Sequence, residues 1–162
     1  MSAAQQLSTQ QRLLGYLGLL PFIVGLSLEW GTLDIAGVSG LWLFETYSAC
    51  IASFVCGIWW GAVINNTSNN TSNDTSNNRS SATLVLSNVL CLLAWVSLLL
   101  DNPIVTLLLL GGVFFVVLVL EKQLKPHRAD LQPYFAMRRQ VTGSVVILHL
   151  VMVMDVAIST GA

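Results

Sequence analysis

Charge is what this chain has least of. Only 9% of its 162 residues are Asp, Glu, Lys or Arg, against roughly 25% in an ordinary soluble domain. The formal net charge of −1 gives no electrostatic footing for nucleic acid or an acidic substrate. Cysteine is also scarce. Cys50, Cys56 and Cys91 are odd in number and unclustered, which argues against a disulfide framework or a zinc site. All three fall inside apolar runs, where a thiol behaves as a small apolar group. There are two histidines, His127 and His149. A haem between helices would want a second axial ligand. His127 lies in a loop, and Met152 or Met154, on the same helix as His149, could not reach the opposite face of an iron. No Ser–His–Asp, His-Glu-x-x-His, P-loop or Rossmann pattern occurs. No catalytic residue, metal ligand or cofactor is therefore assigned. A cleavable leader is not evident either: the first apolar run contains Pro21 and is followed by no small-residue cleavage motif, so it is expected to be retained.

What is present is apolar: 54% of residues are hydrophobic and the mean hydropathy is +0.72. These residues come in five runs, near Leu13–Trp30, Glu45–Ile64, Ala82–Leu100, Ile104–Leu120 and Val141–Ser159. Each is long enough, or nearly so, to cross a hydrocarbon core about 30 Å thick. The expectation is an all-α integral membrane bundle of five transmembrane helices forming one domain over residues 13–162. A disordered polar tail, 1–12, would precede it. With the N-terminus inside and the C-terminus outside, the inner segments hold all seven basic residues: Arg12, Arg79, Lys122, Lys125, Arg128, Arg138 and Arg139. The outer segments then hold Glu29, Asp34 and Asp101. The positive-inside rule selects that orientation.

The second run carries the most informative spacing. Ala49, Ser53, Gly57 and Gly61 stand four residues apart and so share a helix face. Small residues at this spacing let another helix approach closely where lipid removes the hydrophobic drive for association. The ridge reads as helix packing, or as a groove for a partner protein or hydrophobic ligand. In the first run, Pro21 should kink the helix, and Gly18 and Gly25 are candidates to meet the ridge. The link that follows is Gly-rich and semi-apolar, suiting a re-entrant or interfacial segment anchored by Trp42.

Residues 65–80 read NNTS, NNTS, NDTS, NNRS. With no apolar side chain to bury, they predict a flexible low-complexity cytoplasmic loop over 65–81. Asp101-Asn102-Pro103 marks the turn of a helical hairpin. Asn88 in the third run would seek a partner across helices. The fourth run, nearly featureless apart from Gly111-Gly112, reads as a lipid-facing wall. The basic loop after it suits a short interfacial helix around Leu131, Tyr134, Phe135 and Arg138. In the last run, His149 lies near mid-bilayer and Asp155 in the outer third. An ionised Asp there costs roughly 2.5–3.5 kcal/mol on insertion scales, so it should face the bundle interior and find a partner, or stay protonated; Tyr47, Ser48 or Ser97 are in reach by depth, with Ser53 in reach of His149. Glu45 joins Tyr47, His149 and Asp155 as a candidate intramembrane polar site for a proton or cation.

Three stretches together resemble the transmembrane-protein-69-like family, catalogued as a domain of unknown function: Leu14–Gly25, Tyr47–Gly61 with its terminal Trp-Gly, and the spaced Tyr134, Arg138, Thr142. The resemblance implies a small multispanning protein of bacterial or mitochondrial inner membranes, here the bacterial plasma membrane, with no assigned activity. On the topology above, Trp60 ends the second helix at the depth where Arg138 and Thr142 begin the fifth, which predicts an inner-face site. The Trp- and Pro-rich signatures of five-span sensory proteins that bind porphyrin are absent. The leading functional reading is a non-enzymatic scaffold whose partners are the lipid bilayer and a membrane protein or second copy, with no nucleic acid. The rival is a handler of a small molecule, lipid or ion through His149 and Asp155. An intramembrane enzyme has no motif to support it.

Overall fold

A computed structural model describes residues 10, 12–69, 74–123 and 132–161, with side chains for all of these except 59–69, 74–80, 121–123 and 132–135. Five helices follow one another: α1 Leu20–Trp30, α2 Gly40–Asn69, α3 Asp74–Ser97, α4 Pro103–Gln123 and α5 Gln132–Thr160. No strand occurs among the described residues. Among the described residues, four segments are long and apolar enough to cross a membrane: Arg12–Trp30, Gly40–Ile58, Pro103–Leu120 and Ala136–Thr160. The third run falls short as a helix because only Ser81–Ser97 is apolar and helical. Leu98 and Leu99 belong to the turn instead. At 1.5 Å per residue, that stretch spans about 25 Å.

Pro21 does not kink a continuous helix. Residues 12–17 are helical, Gly18 and Leu19 form a turn, and Pro21 sits in the first turn of α1, where its missing N–H costs nothing. Tyr47 Oη donates to the Gly18 carbonyl at this break, at 3.0 Å, so a neighbouring helix satisfies the freed group.

The α1–α2 link turns tightly at Ile35–Val38, which exchange both backbone hydrogen bonds. Ala36 and Gly37 at its centre have φ of 53° and 80°, the pair of left-handed residues that a type I′ turn requires. Two side chains then start α2 at Gly40, five residues before Glu45. Ser39 Oγ accepts from Trp42 N–H at 3.2 Å, and Glu29 Oε2 accepts from Leu41 N–H at 2.8 Å. These are donors that a helix N-terminus leaves free.

α1 and α2 run antiparallel: Gly18 meets Tyr47, Phe22 meets Phe44, and Gly25 meets Gly40. The α3–α4 hairpin closes as its turn residues imply. Asn102 Oδ1 accepts from Ile104 and Val105 N–H at 3.0 and 3.2 Å, and Thr106 Oγ1 donates to the Ser97 carbonyl at 2.9 Å. α4 packs against α2, α3 and α5. It buries Leu107, Leu110, Val113, Phe114 and Val117, which makes it a central helix, not the outer wall expected from its uniform sequence. Asn88 faces outward, whereas its neighbour Ser87 is buried and donates to its own helix at Leu84.

α2 continues to Asn69 and α3 starts at Asp74, so the Asn-rich repeat is helical on both flanks, and residues 70–73 lie outside the described residues. Much of the basic loop, 124–131, lies outside them too, as do residues 1–9 and 11 of the N-terminal tail.

Candidate functional site

The inward face of α5 is a single stripe: Arg138, Thr142, Val145, His149, Met152 and Val156, all buried. Their spacing of four and three residues is that of one helix face. α2 contributes a parallel stripe of Phe44, Ser48, Ala52 and Cys56, again all buried. The small-residue ridge lies one residue further round. Ala49 is buried, Ser53 is half-buried and donates to the Ala49 carbonyl, and Gly57 is exposed with nothing within 4 Å of where a β-carbon would stand. The surroundings of Gly61 lie outside the described residues.

The middle of the α5 stripe is occupied by His149, which is 2% exposed. Three phenyl rings enclose it, with centroid distances of 4.9 Å to Phe44, 5.5 Å to Phe114 and 5.9 Å to Phe22. Its Nδ1–H donates to the Val145 carbonyl at 2.8 Å. A carbonyl can only accept, so this bond sets the tautomer. Nε2 is buried with no hydrogen-bond partner. Gly111 on α4 makes room for the ring, since a β-carbon there would stand 3.1 Å from His149 Cβ.

Below His149, towards the N-terminal end of α5, a cavity of about 410 Å³ opens between helices. Leu14, Gly18 and Phe22 line it from one side, Ile51, Phe54, Val55 and Ile58 from α2, and Phe114 from α4. α5 supplies Met137, Val141 and Val145, with Arg138 and Thr142 as the polar members of the lining. Among the described residues no carboxylate lines it. Phe22, Phe114 and Val145 border both the cavity and His149. Phenyl rings therefore separate the histidine from the cavity. Arg138 is 8% exposed, a cation held in largely apolar surroundings.

Of the predicted inner-face residues, Arg138 and Thr142 stand together on the cavity wall, and the side chain of Trp60 lies outside the described residues. The four residues of the expected intramembrane polar site are not brought together into one hydrogen-bonded group among the described residues. Tyr47 serves the Gly18 carbonyl. Glu45 has Oε1 buried with no hydrogen-bond partner. Asp155 is half-buried on a different face of α5 from His149. Among the described residues no hydrogen bond or salt bridge links any two of the four. The hydroxyls of Ser48, Ser53 and Ser97 all donate to carbonyls of their own helices, so Asp155 and His149 receive nothing from them. The phenylalanine enclosure was not singled out in the sequence. Among the described residues no group of three His, Cys, Asp or Glu could hold a metal ion.

A family model described as a protein of unknown function (DUF3429) matches residues 7–154, nearly the whole chain. No curated protein and no solved structure matches it.

Proposed function

The chain belongs to the DUF3429 family, and from that premise we propose that it is a membrane-embedded, non-enzymatic protein that holds a small hydrophobic molecule among α1, α2, α4 and α5. The observation that carries this reading is the cavity of about 410 Å³, walled by apolar side chains and reached by one buried cation. Volumes of roughly 300–1,000 Å³ with few, well-placed polar groups are what ligand sites have. The bundle would sit in the bacterial inner membrane as a multi-pass protein of the transmembrane-protein-69-like kind. Its N-terminus would be cytoplasmic, because that orientation puts every Lys and Arg on one side. Reporter fusions at each end test the orientation: a cytoplasmic reporter active at the N-terminus and silent at the C-terminus is expected.

The test of the ligand reading is purification in native lipid particles, followed by mass spectrometry of the bound small molecules. A stoichiometric hydrophobic compound, lost when Val55→Trp fills the cavity, is the expected result. Particles whose small-molecule content is the same for wild type and Val55→Trp overturn it.

A second reading, a scaffold that docks a partner helix or a second copy on the Ala49–Ser53–Gly57–Gly61 ridge, is favoured by the open space at Gly57. It predicts that Gly57→Leu removes a co-purifying protein and leaves the small-molecule content unchanged.

A further inference from the structure

We propose that α3 pairs with α3 of a second copy of this chain, in a two-fold contact where Asn88 of one copy hydrogen-bonds Asn88 of the other. This goes beyond the cavity and ridge readings and rests on neither. Asn88 lies near the middle of the apolar helical stretch Ser81–Ser97, about 10 Å from the level of Ser81 at the helical rise. No charged residue occurs between Arg79 and Asp101. The opposite face of α3 is buried in the bundle through Leu90 and Ala94. Asn88 is exposed, and so are Val85, Leu92 and Trp95 beside it. These four stand three, four and three residues apart, which puts them on one helix face and gives them the spacing of a helix–helix seam.

An amide facing hydrocarbon needs a partner, because lipid tails offer none. Among the described residues the Asn88 side chain has no hydrogen-bond partner. The carbonyl one turn back is already taken. Leu84 O receives the Ser87 hydroxyl at 2.8 Å and, as the i−4 acceptor, the Asn88 N–H; a carbonyl has two lone pairs. Asn88 also lacks the long stem by which Lys or Arg carries its polar end to the interface. The partner is identified by complementarity. A primary amide holds donors and an acceptor in one group, so it is its own complement. Two copies inserted in the same orientation hold Asn88 at the same depth, and a two-fold axis along the membrane normal sets the two amides opposite each other. Any other protein would need a polar group at that depth on an exposed face of its own. One polar residue in an apolar seam also fixes register and the number of helices that meet.

The experiment uses the purified full chain with one fluorophore at its N-terminus, reconstituted in phosphatidylcholine vesicles over a range of protein-to-lipid ratios. Photobleaching steps count the copies in each particle, and energy transfer against dilution gives the dissociation constant. Two steps are expected for the wild type. Asn88→Leu should raise the dissociation constant at least about threefold, the scale of interhelical hydrogen bonds in membranes, and Asn88→Gln, which keeps the amide, should raise it less. Gly57→Leu should leave it unchanged. A photo-crosslinking amino acid in place of Leu92 should join two copies. The same group in place of Ile147, exposed on α5, should not.

Monomers at every protein-to-lipid ratio overturn the proposal, as do three or more bleaching steps. A dimer that Asn88→Leu leaves unchanged overturns it too. If Gly57→Leu dissolves that dimer, the contact belongs to the ridge of α2. A dimer that crosslinks from position 147 and not from 92 places the contact on α5 and ends the proposal. A purified monomer that carries a different protein in native lipid particles, lost in Asn88→Leu, overturns the second copy and makes this face a docking surface for that protein. If Asn88→Leu does not fold, crosslinking from positions 92 and 147 decides alone.

Discussion

Gly25 in α1 and Gly40 in α2 meet backbone to backbone. A β-carbon on Gly25 would stand 3.1 Å from the Gly40 carbonyl oxygen, and one on Gly40 would collide with the Gly25 carbonyl. The crossing of the two helices is therefore set by two missing side chains, 15 positions apart in the chain. It also brings Glu29 within reach of the first turn of α2, where it accepts from Leu41 N–H. Small residues permit close backbone approach of this kind, which is how helices associate where lipid removes the hydrophobic drive.

Substitutions at this crossing should be costly. Gly40→Ala is expected to destabilise the fold by about 1–3 kcal/mol, the usual range for overpacking, and Gly40→Leu by more. Gly57→Ala and Gly112→Ala, where nothing lies within 4 Å, should leave stability unchanged or raise it by up to about 1 kcal/mol through helix propensity. Thermal unfolding in a single detergent, followed by dye labelling of newly exposed thiols, ranks all four variants.

The start of α2 is held by side chains from outside it. Losing the Ser39 cap in Ser39→Ala should cost about 1 kcal/mol, as N-cap deletions do. Glu29→Ala should cost a similar amount by releasing Leu41 N–H, and Glu29→Gln less, because the amide oxygen still accepts. The same unfolding assay reads these. A Glu29→Ala variant as stable as wild type would show that the carboxylate does not hold the helix start.

At the break before α1, Tyr47→Phe removes the donor to the Gly18 carbonyl and nothing else. The expected loss is about 1 kcal/mol for a part-buried hydrogen bond. Hydrogen exchange should report faster opening of amides near residues 18–23, while α3 and α4 keep their protection.

His149 offers a test of coupling across helices. Its Nε2 is buried without a partner, so His149→Leu should be near neutral, within about 1 kcal/mol, since it removes an unsatisfied polar atom. Gly111→Ala should destabilise by about 1–3 kcal/mol by crowding His149 Cβ. The double variant Gly111→Ala with His149→Gly, which removes the crowded β-carbon, should recover part of that loss. A coupling of at least about 0.5 kcal/mol in the double-mutant cycle is the expected sign of direct contact; strictly additive effects would contradict the packing described.

Much of the architecture was legible in the chain itself. Lack of charge and the length of the apolar runs called for apolar helices; five helices formed, and among the described residues four segments are long and apolar enough to cross a membrane. Asn102-Pro103 marked the α3–α4 turn because Asx chemistry and a missing N–H act locally, whatever surrounds them. Helical spacing put Arg138 and Thr142 together at one end of α5, as the structure has them. These are properties of one element, and one element's sequence determines them.

Which face of each helix turns inward was a matter for the tertiary structure. In a soluble helix, polar residues mark the outer side. α4 is apolar all round, so its sequence carries no such mark, and only packing made it central instead of peripheral. On α2 the small-residue ridge and the buried stripe are one residue apart, and composition could not choose between them. The tertiary structure chose Phe44, Ser48, Ala52 and Cys56, because Gly25 and Gly40 fix how α1 crosses α2 and hence its rotation. The cavity exists for the same reason. Glycines at 15 and 18, phenyl rings at 22 and 114, and the Arg138 end of α5 come from distant parts of the chain. The space between them is a property of their mutual placement, which no single stretch of sequence encodes.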